Sequence, residues 1–326
     1  MTTLLVSQPF LDSYGAELAA AWPGLDLLVL PVDPEGRLTA ADVDRVDIAY
    51  FSGDMVPAHA RAFFAASQGA PNLRWVHVFN AGVDNPVFQR LLAKGVRLTT
   101  SAGSSARPIA QTAIGGMLML ARGFPRWMED QRRHAWDPVR GDEQPPDLDG
   151  QTMVVVGLGG IGLETARLAR AIGLQVIGIR RRSAEGGEPV DQLLPPSALR
   201  AVLPRTDWLV LSCPLTEETR GLIDGAALAL LPSTARIINV ARGEVVDEDA
   251  LIAALAAGRL GGAYLDVFRE EPLPAGSPLW DMPNVIISPH NSAAGMGNDR
   301  RATAMFFQNL RAYAAGATLI NEIGGD

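Results

Sequence analysis

The sequence carries one cysteine, Cys213, in 326 residues, so an internal disulfide and a cysteine-based metal cluster are both excluded. It has no apolar run near the roughly 20 residues that cross a bilayer. Its start, Met1-Thr-Thr-Leu-Leu-Val6, lacks the basic stretch and long apolar run of a secretory signal. Excess positive charge is missing too. The formal net charge is −8 and the sequence isoelectric point is near 5.1, which argues against nucleic acid and anionic membranes as partners. No group of side chains has metal-ligand spacing, and there is no internal repeat or low-complexity tract. Histidine is scarce, with four in the chain, so histidine chemistry has few candidates. Together these absences predict a soluble, cytoplasmic protein.

What is present is a globular balance of 48% hydrophobic and 20% charged residues, which argues against a disordered chain. The length suggests about two domains, since roughly 100–200 residues make one. Residues 3–6, 26–30, 47–51, 75–79 and 96–99 read as strands, being β-branched or aromatic and ending at Pro, Gly or Asn. Residues 11–21, 57–66 and 86–93 read as helices between them. That alternation implies a parallel sheet with helices on its faces. A long helix over 108–122 is rich in Ala, Ile, Leu and Met, and 137–149 reads as a loop. A second series of strands follows at 152–156, 176–179, 208–211, 237–240, 262–265 and 285–287. The last helix, 301–314, has no strand after it, which predicts that it packs back on a discontinuous first domain.

The run Thr152-Met-Val-Val-Val156 leads directly into Gly157-Leu-Gly-Gly-Ile-Gly162, and Glu164-Thr-Ala-Arg-Leu-Ala-Arg170 continues with helical spacing. Gly157 allows a tight turn, Gly159 lets a pyrophosphate approach the backbone, and Gly162 lets helix and strand pack closely. The pyrophosphate then sits on the N–H groups of a helix N-terminus. Leu158, Gly159, Gly160 and Ile161 are the loop residues expected at the cofactor. A glycine pattern alone is weak, but strand, loop, helix and next strand in order supply the confirming context. The competing reading is a glycine-rich turn without a ligand.

Arg180-Arg181-Arg182-Ser183 follows the second strand of this series. NAD-binding chains usually carry Asp or Glu about 20 residues after the glycines, on the ribose 2′-OH. Arg180 stands there instead. A carboxylate repels a 2′-phosphate, whereas a guanidinium grips it through two hydrogen bonds. Arg180 and Arg181 therefore favour NADP(H), with NAD as second choice. A solvated basic turn is the bland alternative.

Three further stretches stand out: Asn239-Val-Ala-Arg-Gly-Glu-Val-Val-Asp-Glu-Asp-Ala-Leu251, Asp266-Val-Phe-Arg-Glu-Glu-Pro-Leu273 and Ser288-Pro-His-Asn-Ser-Ala-Ala294. Arg242, Glu271 and His290 each fall just past a predicted strand, and the ligand crevice of an open parallel sheet lies outside those carboxyl ends. The stretches closely resemble the D-isomer-specific 2-hydroxyacid dehydrogenase family. The resemblance runs from Asn80-Ala-Gly-Val-Asp84 to the tail, is strongest between Leu148 and His290, and includes Pro214-Leu-Thr-Glu-Glu-Thr-Arg-Gly221. It implies an α/β fold of two Rossmann-like domains with parallel sheets and the active site in the cleft between them. Residues 1–102 with 294–326 would form the substrate-binding domain, and 103–293 the dinucleotide-binding domain. A homodimer is implied, with the helix 108–122 at its interface. By the same resemblance Arg242 binds and polarises a 2-oxo acid, His290 donates a proton, and Glu271 holds and tunes His290. Asp266 looks like the nicotinamide carboxamide ligand, with Pro214, Thr219 and Ala241 also at the cofactor. Ala81-Gly82 resembles the substrate-carboxylate loop.

The chemistry is coherent without the family. Reducing a 2-oxo acid needs a hydride, a proton, and a partner for the carboxylate and the developing alkoxide. The cofactor supplies the hydride. A histidine titrating near neutrality supplies the proton, and a nearby carboxylate favours its charged form. A guanidinium fits a carboxylate and the adjacent oxo group in one planar fork. Among the other histidines, His59 reads as a helix-surface residue, His134 as exposed in Arg132-Arg-His-Ala-Trp136, and His77 as packed within a strand. His290 alone follows an apolar strand, and a plain turn is its competing reading. Glu270 is the rival of Glu271, and the family spacing Asp-Val-Phe-x-x-Glu-Pro selects Glu271. Cys213 reads as a small buried hydrophobe rather than a nucleophile.

Two positions depart from the family pattern. Gln111 stands where many members carry Glu, and Arg180 replaces the NAD-type acid, which points to reductive use of NADPH. The end at Asp326 argues against the phosphoglycerate dehydrogenases that carry an extra regulatory domain. The closest resemblance is to the glyoxylate/hydroxypyruvate reductase branch. Substrate choice falls to loops 52–56, 79–80 and 101–107, where Met55 and Phe79 are either apolar contacts or core. Glyoxylate, hydroxypyruvate and a branched or aromatic 2-oxo acid all stay open. Rival readings are an NAD-linked dehydrogenase working in the oxidative direction and a dinucleotide-sensing protein without catalysis. The sensor reading expects extended interaction tails, which the sequence lacks.

Overall fold

Short β-branched and aromatic runs, alternating with helices, build two parallel sheets in the computed structural model, which describes residues 2–83, 85–181 and 186–324. Contacts divide the chain into two units, Met1–Ser104 with Gly295–Asp326, and Ser105–Ala294.

The first unit holds β1 (Thr3–Val6), β2 (Asp26–Val29), β3 (Ile48–Phe51), β4 (Trp75–Val78) and β5 (Arg97–Thr100), all parallel, in the order β2-β1-β3-β4-β5. A parallel sheet is covered on both faces, and side-chain alternation sorts the two cores. Leu5, Ala49, Phe51, Val76 and Val78 pack with the helices Ala60–Gly69 and Pro86–Ala93. Leu4, Val6, Ile48, Tyr50 and Trp75 pack with Gln8–Ala21 and the C-terminal helix Asn298–Ala314. Phe306 of that last helix stacks on Tyr50 with ring centroids 4.0 Å apart. Side-chain caps start two of these helices. Ser7 accepts from Phe10 N–H at 3.1 Å, and Asn85 accepts from Val87 N–H at 3.0 Å; such caps contribute about 1 kcal/mol each. The pattern placed a helix from residue 57, but it begins at Ala60, after a short 3-10 turn at Gly53–Met55. Val56 is extended there, as steric crowding by the following proline demands.

The second unit holds β6 (Thr152–Val156), β7 (Gln175–Ile179), β8 (Gln192–Leu194), β9 (Trp208–Leu211), β10 (Arg236–Asn239), β11 (Gly262–Leu265) and β12 (Val285–Ile287). Their order is β12-β11-β10-β9-β6-β7-β8, again all parallel. The chain runs outward from β6 through β8, then returns to β9 and runs outward the other way. The order reverses between β6 and β9, and ligand crevices open at the carboxyl ends of such strands. The helix Ala106–Arg122 lies on this unit's own sheet: a Cβ added to Gly116 would come within 2.5 Å of the Tyr264 ring. Several elements escaped the sequence pattern, two of them for plain reasons. β8 is a three-residue edge strand, too short for a period to show. The helix Phe124–Arg132 begins directly after Gly123, whose φ of 77° ends the preceding helix. Among the described residues, no helix is long and apolar enough to cross a membrane.

Candidate active site

The chain turns sharply after β6. Gly157 has φ 93°, in the left-handed region that favours glycine, and a Cβ there would lie 2.6 Å from Cys213 Cα. A Cβ on Gly162 would lie 1.9 Å from the Gly157 carbonyl oxygen, so the helix Gly160–Ala171 starts tight against the strand. Ser212, at the end of β9, braces the turn by donating from Oγ to the Gly157 carbonyl at 2.7 Å. Leu158 is buried beneath the loop, Gly159 and Gly160 are exposed, and Ile161 is half-buried. Nothing lies within 4 Å of a Cβ built on Gly159. A helix leaves its first N–H groups without intrahelical partners, at the positive end of its dipole. Open space beside those donors fits a pyrophosphate.

The neighbouring residues expected at the cofactor serve the backbone as well. Thr219 Oγ1 accepts from Thr216 N–H and donates to the Pro214 carbonyl, both at 2.7 Å, which closes the turn after β9. Ala241 is buried, and its carbonyl accepts from Arg242 Nη1 at 2.7 Å. Arg180 Nη2 lies 2.6 Å from Glu188 Oε1. Arg181 is exposed. The Glu218 carboxyl is held below its usual range by hydrogen bonds from Thr216 and its own backbone, with a smaller contribution from the Arg181 charge. Arg182, Ser183 and Asp84 lie outside the described residues.

β10, β11 and β12 are adjacent and parallel, so the segments leaving their carboxyl ends start along one sheet edge. Arg242 follows β10, Asp266 and Glu271 follow β11, and His290 follows β12. His290 Nδ1 meets Glu271 Oε2 at 2.7 Å, while Glu271 Oε1 accepts from Phe268 N–H at 3.0 Å. One carboxylate oxygen is thus fixed by backbone and the other by the imidazole. Glu270 is exposed. Arg242 is half-buried and its carbonyl accepts from Asn239 Nδ2 at 3.0 Å. A Cβ on Gly243 would lie 1.9 Å from the Phe268 carbonyl carbon, so the Arg242 turn presses against the segment leading to Glu271.

His290 adopts φ 50°, unusual for a residue with a side chain. Its N–H donates to the carbonyls of Asp266 at 2.8 Å and Ser288 at 3.0 Å. The Asp266 carboxylate, 2% exposed, gathers the rest of the turn. Its Oδ1 accepts from Ser288 Oγ at 2.6 Å and from Asn291 and Ser292 N–H, each at 2.9 Å. Its Oδ2 accepts from Ser292 Oγ. Tyr264 joins through its hydroxyl, 2.6 Å from Ser288 Oγ. Burial pushes that phenol up to about 12, opposed by the Ser288 bond and assisted by the Asp266 charge. Ser288, Ser292 and Tyr264 were not singled out in the sequence, although the two serines flank His290 in the stretch that was.

The other histidines differ. His77 is fully buried, with Nδ1 2.7 Å from Thr99 Oγ1 and Nε2 3.0 Å from Ser101 Oγ, and burial lowers its pKa to about 3. His134 is exposed. His59 is not on an outer helix face; it sits half-buried at the start of Ala60–Gly69 because the helix begins later than its pattern indicated. Burial pushes the Cys213 thiol up to about 11, away from nucleophilic use. In the first unit Ala81 is exposed and Gly82 half-buried, with Asn80 Nδ2 donating to the Gly82 carbonyl. Met55 is fully buried core, and Phe79 is half-buried beside Phe51.

The chain is similar to known proteins along most of its length. Residues 114–292 match the family described as D-isomer specific 2-hydroxyacid dehydrogenase, NAD binding domain. A glyoxylate reductase of Korarchaeum cryptofilum is 32% identical over 256 residues, which cover 76% of this chain and 75% of that one. A D-isomer specific 2-hydroxyacid dehydrogenase from Xanthobacter autotrophicus, solved in complex with NADPH and MES, is 33% identical with a TM-score of 0.78, covering 99% of this chain and 97% of that one. An NADPH-dependent glyoxylate/hydroxypyruvate reductase from Sinorhizobium meliloti, solved with NADP and sulfate, is 28% identical with a TM-score of 0.76, covering 99% and 98%.

Proposed function

The chain belongs to the D-isomer-specific 2-hydroxyacid dehydrogenase family, and from that premise we propose that it uses NADPH to reduce a small 2-oxo acid, glyoxylate or hydroxypyruvate first among them, to the D-2-hydroxy acid. It is an NAD(P)-dependent oxidoreductase by kinship with named dehydrogenases and reductases. The observation that carries the finer reading is the His290–Glu271 pair at 2.7 Å, on the edge of a sheet whose glycine loop fits a dinucleotide.

The reduced nicotinamide, when bound, supplies the hydride. Glu271 takes Nδ1 of His290, so Nε2 is the atom that passes a proton to the substrate's oxo oxygen. The carboxylate beside the ring fixes its orientation and tautomer. The Arg242 guanidinium grips the oxo acid and draws charge toward the oxygen that becomes alkoxide. The Ala81-Gly82 backbone receives the substrate carboxylate, a role that rests on family resemblance.

A homodimer belongs to the same reading. Trp136 is 96% exposed, and Phe124, Trp127, Met128 and Trp280 of the same unit also present apolar surface. Phe124 lies against Trp127 with ring centroids 5.1 Å apart, and Met128 and Trp280 line one groove; exposed apolar side chains gathered in this way favour a contact site. Sedimentation of the purified chain is expected to give the mass of two chains; a single-chain mass at micromolar concentration removes the dimer.

The activity itself is tested by mixing the chain with NADPH and a panel of 2-oxo acids: glyoxylate, hydroxypyruvate, pyruvate, and one branched and one aromatic member. Loss of NADPH absorbance is expected with at least one. No turnover with any of them overturns the assignment.

A further inference from the structure

Arg180 follows β7 at the position where dinucleotide-binding chains discriminate between a ribose 2′-hydroxyl and a 2′-phosphate. In sequence it looks like an outward-facing cation. In the fold its side chain is 12% exposed, and Nη2 donates to Glu188 Oε1 at 2.6 Å. Glu188 is itself 10% exposed, and its Oε2 accepts from Gly186 N–H at 3.1 Å. Both backbones are tied down as well. Arg180 N–H donates to the Leu194 carbonyl of β8 at 3.1 Å, and Val190 N–H donates to the Glu188 carbonyl at 2.8 Å. An ion pair this sheltered differs from a solvated surface pair, because little water screens it.

We propose that Glu188 is a cofactor-selectivity residue: its carboxylate occupies the Arg180 guanidinium that would otherwise receive the 2′-phosphate of NADP(H). The proposal rests on the dinucleotide reading above. A phosphate arriving at Arg180 has to displace a carboxylate or lie beside it, and like charges at that range repel. A ribose 2′-hydroxyl meets no such conflict. Arg180 therefore discriminates less strongly than its position implies, and exposed Arg181 supplies much of the remaining attraction for phosphate.

The test measures binding rather than turnover. NADPH and NADH are titrated into the full chain and into Glu188→Gln by tryptophan fluorescence, and adenosine 2′,5′-bisphosphate is titrated against adenosine 5′-phosphate by calorimetry. In Glu188→Gln the preference for NADPH over NADH is expected to rise about tenfold through tighter NADPH, the scale of one charge-assisted hydrogen bond. The bisphosphate tightens by a similar factor. Glu188→Asp, which keeps the charge but withdraws it by one methylene, raises the preference less. An unchanged preference in a chain that binds both dinucleotides overturns the proposal alone. Weaker NADPH binding also overturns it, since Glu188 would then brace Arg180 for phosphate. A wild-type chain that binds neither dinucleotide overturns the reading beneath it and the proposal together.

Discussion

His77 and His290 each belong to a parallel sheet, one in each unit. His77 sits inside β4 with no exposed surface, and both ring nitrogens are tied to hydroxyls. His290 sits past the end of β12, its side chain 47% exposed, with one nitrogen on a carboxylate. The same imidazole is a structural bridge in one place and a candidate acid in the other. Position along the strand makes the difference. A side chain within a two-faced parallel strand is committed to a core, whereas the carboxyl end opens onto a crevice. The turn that presents His290 needs its own scaffold, and Asp266 provides it through four accepted hydrogen bonds.

The sharpest way to break this comparison is to remove His290. His290→Ala is expected to lower kcat/KM for the preferred 2-oxo acid by about 10²–10⁴-fold, the range for a positioned general acid. Dissociation constants for the dinucleotide, read by fluorescence, should move little. Activity within tenfold of wild type makes His290 a turn residue after all. A smaller effect is expected from Glu271→Gln, which keeps a hydrogen-bonding group and removes the charge. kcat should fall roughly tenfold or more, as one charge-assisted bond to the ring is weakened. Glu270→Gln serves as the contrast and should stay near wild type. Equal losses at the two positions would mean that general acidity of the loop, not the contact to Nδ1, supports the reaction.

These residues also show what was legible in the sequence. The strands were, because burial on both faces turns them into apolar runs such as Trp208–Leu211. The glycine loop was, because the positive φ of Gly157 and the contact of Gly162 with the Gly157 carbonyl are demands made within six residues. Choosing Glu271 over Glu270 needed the family's spacing, since nothing in Glu-Glu-Pro itself says which carboxylate meets the imidazole. Asp266 was read only as a cofactor ligand, because its bonds to Ser288 and Ser292 span 22 and 26 residues and exist only once β11 and β12 are paired. Arg180 was read only as a ligand for the 2′-phosphate for a related reason. Its partner Glu188 lies on the connection to β8, the strand too short to be seen.

The smallest expected effect comes from the buried member of the pair. Trp75 Nε1 donates to Thr99 Oγ1 at 2.8 Å, so the Thr99 hydroxyl proton is available to His77 Nδ1. On the other side Ser101 Oγ donates to the Val78 carbonyl at 3.1 Å, so it accepts from His77 Nε2–H. The chain of bonds runs in one direction and is complete with a neutral ring; a second ring proton would meet the Thr99 hydroxyl proton head on. Burial adds the larger penalty, and the pKa falls from 6.5 to about 3. In the unfolded chain the ring takes up its proton near the ordinary value, so between those two pKa values the unfolded state binds more protons. Stability from this residue is therefore full above about pH 6.5 and declines as the pH falls toward 3, by at most about 1.4 kcal/mol per pH unit. Between pH 7.5 and pH 5 that amounts to about 2 kcal/mol. His77→Gln cannot take the proton, so its urea midpoint should shift less over the same interval than that of wild type. Parallel shifts in the two proteins would show that His77 accepts a proton inside the folded sheet, and burial alone would no longer separate it from His290.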